Sequence, residues 1–112
     1  MAELRELTQQ YVAAFNAKDI DGVSALLTED FSITDPSVTQ LEPRDKAIEY
    51  IRGLFMSNSV LSFQALDIIV GDDITALHFA LSLGEERYHG IDLINWKQDK
   101  ISSILAYLTK QF

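Results

Sequence analysis

The segment Phe31-Ser-Ile-Thr-Asp-Pro36 holds the strongest local signal in this chain. Its alternation predicts a half-buried strand with Phe31, Ile33 and Asp35 on the inner face. Asp35 therefore occupies an inward position where a third apolar side chain is expected. Pro36 has no backbone donor and ends the strand, so Asp35 should lie at its last rung. A carboxylate at that point is either a base in a pocket or a residue that caps a turn.

Three helices are predicted around this strand. Apolar side chains recur with helical spacing over residues 2–17, and Tyr11 lies within their stripe. A brief second helix is expected over Ile20–Leu27, with Asp19 as its N-cap. A third is expected from Pro43 to about Phe55, because proline suits the first turn of a helix.

The second half of the chain predicts four strands joined by short turns, over residues 61–70, 74–83, 87–96 and 101–108. Together, these elements predict an α+β fold that forms one domain over residues 1–112. Three N-terminal helices should pack on a strongly curved, mostly antiparallel sheet. This arrangement forms a cone with an internal pocket at its open end.

Asp92 is a second carboxylate predicted to point inward. It lies in the middle of a strand, on the face that also carries Gly90, Ile94 and Trp96. An ionised carboxylate buried without a partner is costly, and no Arg or Lys occupies an obvious facing position. A protonated Asp92 that donates a hydrogen bond is the expected state.

In this fold Tyr11, Asp35 and Asp92 would point into one cavity. Two carboxyl groups in environments that separate their pKa values are the pattern of one acid and one base. Tyr11 and a neutral Asp92 would donate hydrogen bonds to an oxyanion, and Asp35 would remove a proton from carbon. This is proton transfer next to a carbonyl group, which needs neither a metal nor a cofactor.

Three parts of the sequence resemble the ketosteroid isomerases: residues 11–22, Asp35-Pro36 and Gly90-Ile-Asp92. These enzymes belong to the nuclear-transport-factor-2-like, or cystatin-like, superfamily, which also contains the SnoaL-like polyketide cyclases. The resemblance implies that Tyr11 is the oxyanion-hole tyrosine, Asp35 the general base and Asp92 the protonated oxyanion-hole aspartate.

Two departures from related enzymes accompany this resemblance. Arg52 lies about where the isomerases have a further tyrosine that supports the oxyanion-hole tyrosine. Gly90 lies two residues before Asp92, so the Arg-x-Asp pair of the related limonene-epoxide hydrolases is absent. Epoxide hydrolysis is therefore disfavoured as the activity of this protein.

The resemblance and the residues together predict a small cofactor-independent isomerase that shifts a C=C bond in a hydrophobic, steroid-like or polyketide-like carbonyl compound. One alternative is a SnoaL-like polyketide cyclase or dehydratase with Asp92 as the base, and another is a non-catalytic domain that binds a small ligand. Trp96 would either line the pocket or fill the core. The predicted ligand-binding wall consists of Phe15, Phe31, Ile33, Phe55, Ile94 and Trp96.

Composition excludes several other classes of function. The net charge is −8, and 9 basic residues scattered among 17 acidic ones make no surface for nucleic acid or anionic membranes. The absence of cysteine excludes disulfides, thiol nucleophiles and Cys-ligated zinc. Asp19 and Asp21 are explained as helix-start residues, so no metal site is expected. Without a signal peptide or a membrane-spanning segment, the expected location is the cytoplasm. The apolar outward residues Ile91 and Leu93 predict a homodimer through the outer face of the sheet.

Overall fold

The computed structural model describes residues 3–111. Within them the order of elements is helix, helix, strand, helix and then four strands, as predicted. The elements are α1 (Leu4–Asn16), α2 (Ile20–Ala25), β1 (Leu27–Thr34), α3 (Arg44–Ser57), β2 (Leu61–Val70), β3 (Ile74–Leu83), β4 (Glu86–Lys97) and β5 (Lys100–Gln111).

The described strands form one curved sheet in the order β1-β5-β4-β3-β2. Strands β2 to β5 are antiparallel to their neighbours, whereas β1 pairs with β5 in parallel. Helix α1 packs against β2 and β3, and α3 packs against β1. The α+β class and the mostly antiparallel, curved sheet with helices packed on it are therefore confirmed.

The predicted boundary between α2 and β1 was wrong. Helix α2 ends at Ala25, and β1 begins at Leu27, four residues before the predicted start at Phe31. Leu27 lies opposite Ile101 of β5, and the Ile101 amide donates to the carbonyl oxygen of Leu26 at 2.7 Å. Pairing with β5 thus converts to strand a segment whose local pattern is helical, which is an override of propensity by tertiary context.

The other boundaries differ by a few residues. Helix α1 is Leu4–Asn16 rather than 2–17, and residue 2 lies outside the described residues. Helix α3 begins one residue after Pro43, which is its N-cap, and continues to Ser57. A Cβ atom at Gly53 would meet nothing within 4 Å, so no close contact requires glycine at this position of α3. Strand β5 runs on to Gln111 because β4 offers pairing partners over its whole length.

A buried hydrogen-bonded group outside the cavity lining holds α1 to the sheet. The Trp96 indole Nε1 donates to Thr75 Oγ1 at 3.0 Å, and the Thr75 and Thr8 hydroxyls are 2.9 Å apart. Thr8 Oγ1 also donates to the Leu4 carbonyl oxygen at 2.8 Å. Because every buried polar atom in this group has a partner, it fixes the helix against β3 and β4 without an unpaired buried donor.

Candidate active site

A cavity of about 370 Å³ lies between the helices and the inner face of the sheet. Its wall is mostly apolar, and its size falls in the range of pockets that hold small organic ligands. Tyr11, Asp35 and Asp92, from α1, the end of β1 and β4, all line it. The convergence predicted from the sequence is therefore present in the fold.

Asp92 is a nearly buried carboxyl in the middle of the sheet, with 5% of its surface exposed. It lies between Leu77 of β3 and Ala106 of β5, and the small Ala106 also lines the cavity. Burial raises the pKa of Asp92 to about 7, and the nearby charge of Asp35 adds to this effect. At and below neutral pH a large share of Asp92 is therefore protonated and able to donate a hydrogen bond.

Tyr11 lines the same cavity from α1. Its ring is 3% exposed and packs edge-on against Phe63, with ring centroids 6.1 Å apart. Burial, and secondarily the charge of Asp92, raises the pKa of Tyr11 well above its usual value. Across residues 3–111 neither the Tyr11 hydroxyl nor the Asp92 carboxyl makes a side-chain hydrogen bond. Both groups are therefore free to act on a ligand in the cavity.

Asp35 lies one residue beyond β1, where it caps a turn and also lines the cavity. Its Oδ1 accepts hydrogen bonds from the backbone amides of Ser37 and Val38, at 2.7 and 3.0 Å. Its own amide donates to the Val38 carbonyl oxygen at 2.9 Å, which closes the turn. Its Oδ2 accepts a hydrogen bond from the Tyr50 hydroxyl at 2.7 Å. One oxygen thus caps the turn, while the other is bonded to Tyr50, which also lines the cavity.

Tyr50, which was not among the predicted site residues, lines the cavity from α3. Burial, followed by the hydrogen bond to Asp35, raises the pKa of Tyr50 to about 12, so it remains a neutral donor. Arg52 is exposed, and Tyr50, two residues earlier, donates to Asp35 and not to Tyr11. Helical spacing contained the signal, since Ala47, Tyr50, Ile51 and Leu54 follow the i, i+3, i+4, i+7 pattern.

Only two of the six predicted wall residues line the cavity, namely Phe15 and Ile33. Phe31 and Ile94 are completely buried in the core. Phe55 stacks edge-on against Phe15, with centroids 5.0 Å apart, and so lies behind the wall. Trp96 fills the core beside Thr75, which is one of the two placements predicted for it. Much of the apolar wall is instead formed by residues that were not predicted, including Phe63, Phe79, Leu81 and Leu108.

The remaining polar candidates lie away from the cavity. Asp19 Oδ1 accepts from the Gly22 amide at 3.0 Å, which confirms its N-cap role. His78 and His89 are exposed, and His89 Nδ1 lies 2.8 Å from Gln111 Nε2. Nowhere in residues 3–111 do three or more His, Cys, Asp or Glu side chains gather in an arrangement that could hold a metal ion. In the same range, no helix has the length and apolar character needed to cross a membrane.

The fold resembles several solved structures. A SnoaL-like protein of unknown function from Burkholderia thailandensis has a TM-score of 0.85 at 17% identity, covering 94% of this chain and 93% of that chain. A Catenulispora acidiphila protein with a ketosteroid isomerase-like fold, in complex with trimethylamine, gives 0.81 at 11% identity over 91% and 84% of the two chains. An LEH-like epoxide hydrolase of M. tuberculosis gives 0.76 at 14% identity over 93% and 80%. Identities this low establish the shared fold alone.

The sequence of this chain matches a known protein family. No curated protein matches the chain significantly. Residues 8–104, however, match the family described as the SnoaL-like domain, and this range includes Tyr11, Asp35 and Asp92. Because this match spans most of the chain, the chain belongs to the SnoaL-like domain family.

Proposed function

We propose that the protein catalyses proton transfer next to the carbonyl group of a small hydrophobic compound. Asp35 acts as the base, and Tyr11 together with neutral Asp92 donates hydrogen bonds to the carbonyl oxygen. The observation that supports this most is the pair Tyr11 and Asp92. Within the described residues neither of these nearly buried donors has a side-chain hydrogen bond, and both line the apolar cavity that Asp35 also lines.

The reaction follows from the donors and acceptors at the wall. The ligand's carbonyl oxygen accepts hydrogen bonds from the Tyr11 hydroxyl and the Asp92 carboxyl. Asp35 Oδ2 removes a proton from the adjacent carbon, and the electrons of that C–H bond form an enolate held by the two donors. When the ligand is a β,γ-unsaturated ketone, this enolate is conjugated with its C=C bond. Asp35 then returns the proton to the γ carbon, and the C=C bond moves to the α,β position. Such a general base contributes about 10²–10⁴ to the rate, and each oxyanion donor about 10²–10³.

Turnover of a β,γ-unsaturated ketone tests the proposal. The conjugated product absorbs in the ultraviolet, so the rate is followed directly. The Asp35→Asn variant should lose turnover while keeping the wild-type melting temperature. Asp99→Asn, in the exposed turn between β4 and β5, is the matched control and should keep the wild-type turnover. Unchanged turnover in Asp35→Asn would remove Asp35 as the base.

Binding of a naphthol tests the donor pair separately. A naphthol resembles the enolate, so it should bind to wild type and lose affinity in Tyr11→Phe and Asp92→Ala. Affinity should also decline as the pH rises through about 7, because ionised Asp92 no longer donates. Naphthol binding without ketone turnover would favour a non-catalytic ligand-binding domain.

A second candidate function uses Asp92 as the base, as in a cyclase or dehydratase acting on a polyketide-like ring. Its support is the pKa of Asp92, since a base is most effective when its pKa lies near the working pH. The two assignments predict opposite changes in activity as the pH rises through 7. Activity that rises through pH 7 favours Asp92 as the base, whereas activity that falls through pH 7 favours Asp92 as the donor.

We also propose a homodimer through the outer face of the sheet. Ile69 and Ile91 are apolar side chains on that face with 64% and 44% of their surfaces exposed. Stable interfaces bury about 800 Å² on each partner, which a sheet face can supply. Sedimentation should give a dimer for wild type and a monomer for Ile91→Lys. A monomeric wild type would refute this arrangement.

A further inference from the structure

We infer that Tyr50 is a positioning residue for the base, holding Asp35 so that one acceptor site of Oδ2 faces the ligand. The inference rests on the proposed function and adds a residue that neither the motif match nor the family comparison assigns.

The hydrogen bonds of Asp35 leave little freedom. A carboxylate offers about four acceptor sites, two on each oxygen. The amides of Ser37 and Val38 occupy two sites on Oδ1, and the Tyr50 hydroxyl occupies one on Oδ2. One acceptor site on Oδ2 remains for a proton taken from a ligand. Without Tyr50, the backbone amides would still hold Oδ1, but nothing among these contacts would fix Oδ2.

Both ends of the Asp35–Tyr50 contact are anchored. On the helix side, Ala47 and Ile51 flank Tyr50 and are 0% and 1% exposed, so this face of α3 cannot turn without unpacking the core. On the loop side, Ile33 and Leu41 exchange two backbone hydrogen bonds of 3.1 and 2.8 Å. The contact therefore ties the base to a rigid helix across the loop that follows β1.

A positioning role and a purely structural role predict different kinetics. Tyr50→Phe keeps the ring and the turn but removes the donor to Oδ2. Because misplacement of a reacting group by about 1 Å costs up to ~10² in rate, kcat for the β,γ-unsaturated ketone should fall by about tenfold to a hundredfold. KM and the affinity for naphthol should stay at the wild-type value, since Tyr11 and Asp92 are untouched.

Tyr107→Phe is the matched control because Tyr107 is exposed outside the cavity, and it should leave kcat unchanged. Wild-type kcat in Tyr50→Phe would overturn the inference. So would a parallel loss of naphthol affinity and kcat, which would mean that Tyr50 only supports the cavity wall.

A measurement without turnover separates the inference from the proposed function. In wild type the Tyr50 hydroxyl should titrate near pH 12. The titration is measured from the ¹³C signal of the Tyr50 ring, which is assigned by comparison with Tyr50→Phe. In Asp35→Asn this midpoint should fall, because the hydrogen bond to a charged acceptor and its charge are both lost. An unchanged midpoint means that the contact is absent and the inference fails. If the midpoint is lowered in Asp35→Asn but the wild-type protein turns over no ketone, the contact is established and the proposed function is refuted instead.

Discussion

Replacing Asp92 by Asn should change how the stability of the protein depends on pH. The amide has nearly the shape of the carboxyl group but cannot ionise. In wild type, burial raises the pKa of Asp92 to about 7, compared with an ordinary value of 3.8. Between these two pH values the unfolded chain has released this proton, whereas the folded protein still holds it.

The size and sign of the effect follow from proton linkage. The stabilising contribution of neutral Asp92 is complete below about pH 4 and is lost as the pH rises through about 7. A shift of about three pKa units at ~1.4 kcal/mol each corresponds to about 4 kcal/mol over this interval. From pH 5 to pH 8, wild type should therefore lose roughly 3 kcal/mol of unfolding free energy relative to Asp92→Asn.

Urea unfolding of both proteins at pH 5 and pH 8 measures this difference. Comparing the two proteins at each pH cancels the contribution of every other titrating group that behaves alike in both. Equal m-values would establish that the variant unfolds from a similar native state. The difference in unfolding free energy between wild type and Asp92→Asn could also be the same at the two pH values. That result would refute the assignment of Asp92 as a buried carboxyl with a raised pKa.

Three further predictions concern neighbouring groups. Asp35→Asn should lower the pKa of Asp92 below 7, because the charge of Asp35 contributes to the raised pKa of Asp92. The carboxyl ¹³C chemical shift of Asp92 measures this pKa, and an unchanged value would place the two groups too far apart to interact. Gly90→Ala should lower stability by about 1–3 kcal/mol in thermal unfolding, since the new Cβ would lie 2.3 Å from the Tyr107 carbonyl oxygen and 2.7 Å from Phe79 Cζ. Thr75→Val should cost about 1–3 kcal/mol by leaving the Trp96 indole unpaired, with no change in naphthol affinity.

Periodicity was enough to predict the inward direction of Asp92 on β4 and of Asp35, one residue beyond β1. Alternation in β4 assigns Asp92 to the inner face and His89 to the outer face, and the fold agrees. Alternation in β1 likewise directs Asp35 inward, where it joins Tyr11 at one cavity. These assignments depend only on parity within one element, which the local sequence determines.

Periodicity could not predict which inward residues reach the cavity. Ile94 and Asp92 share a face of β4, but only Asp92 lies at the level of the open space, and that level is set by how α1 and α3 sit on the sheet. The contact between Tyr50 and Asp35 depends on the same helix placement, since the two residues belong to separate elements. The early start of β1 depends on a partner strand more than seventy positions later, at Ile101.

The parallel pairing of β1 with β5 has a consequence for synthesis of the protein. The strand that leads to Asp35 is made early, whereas its neighbour in the sheet is the last strand described. A growing chain on the ribosome can therefore form the hairpins of β2, β3 and β4 before the carboxyl groups of Asp35 and Asp92 are brought together. Until β5 is inserted between them, the incomplete protein should be inert toward its ligand.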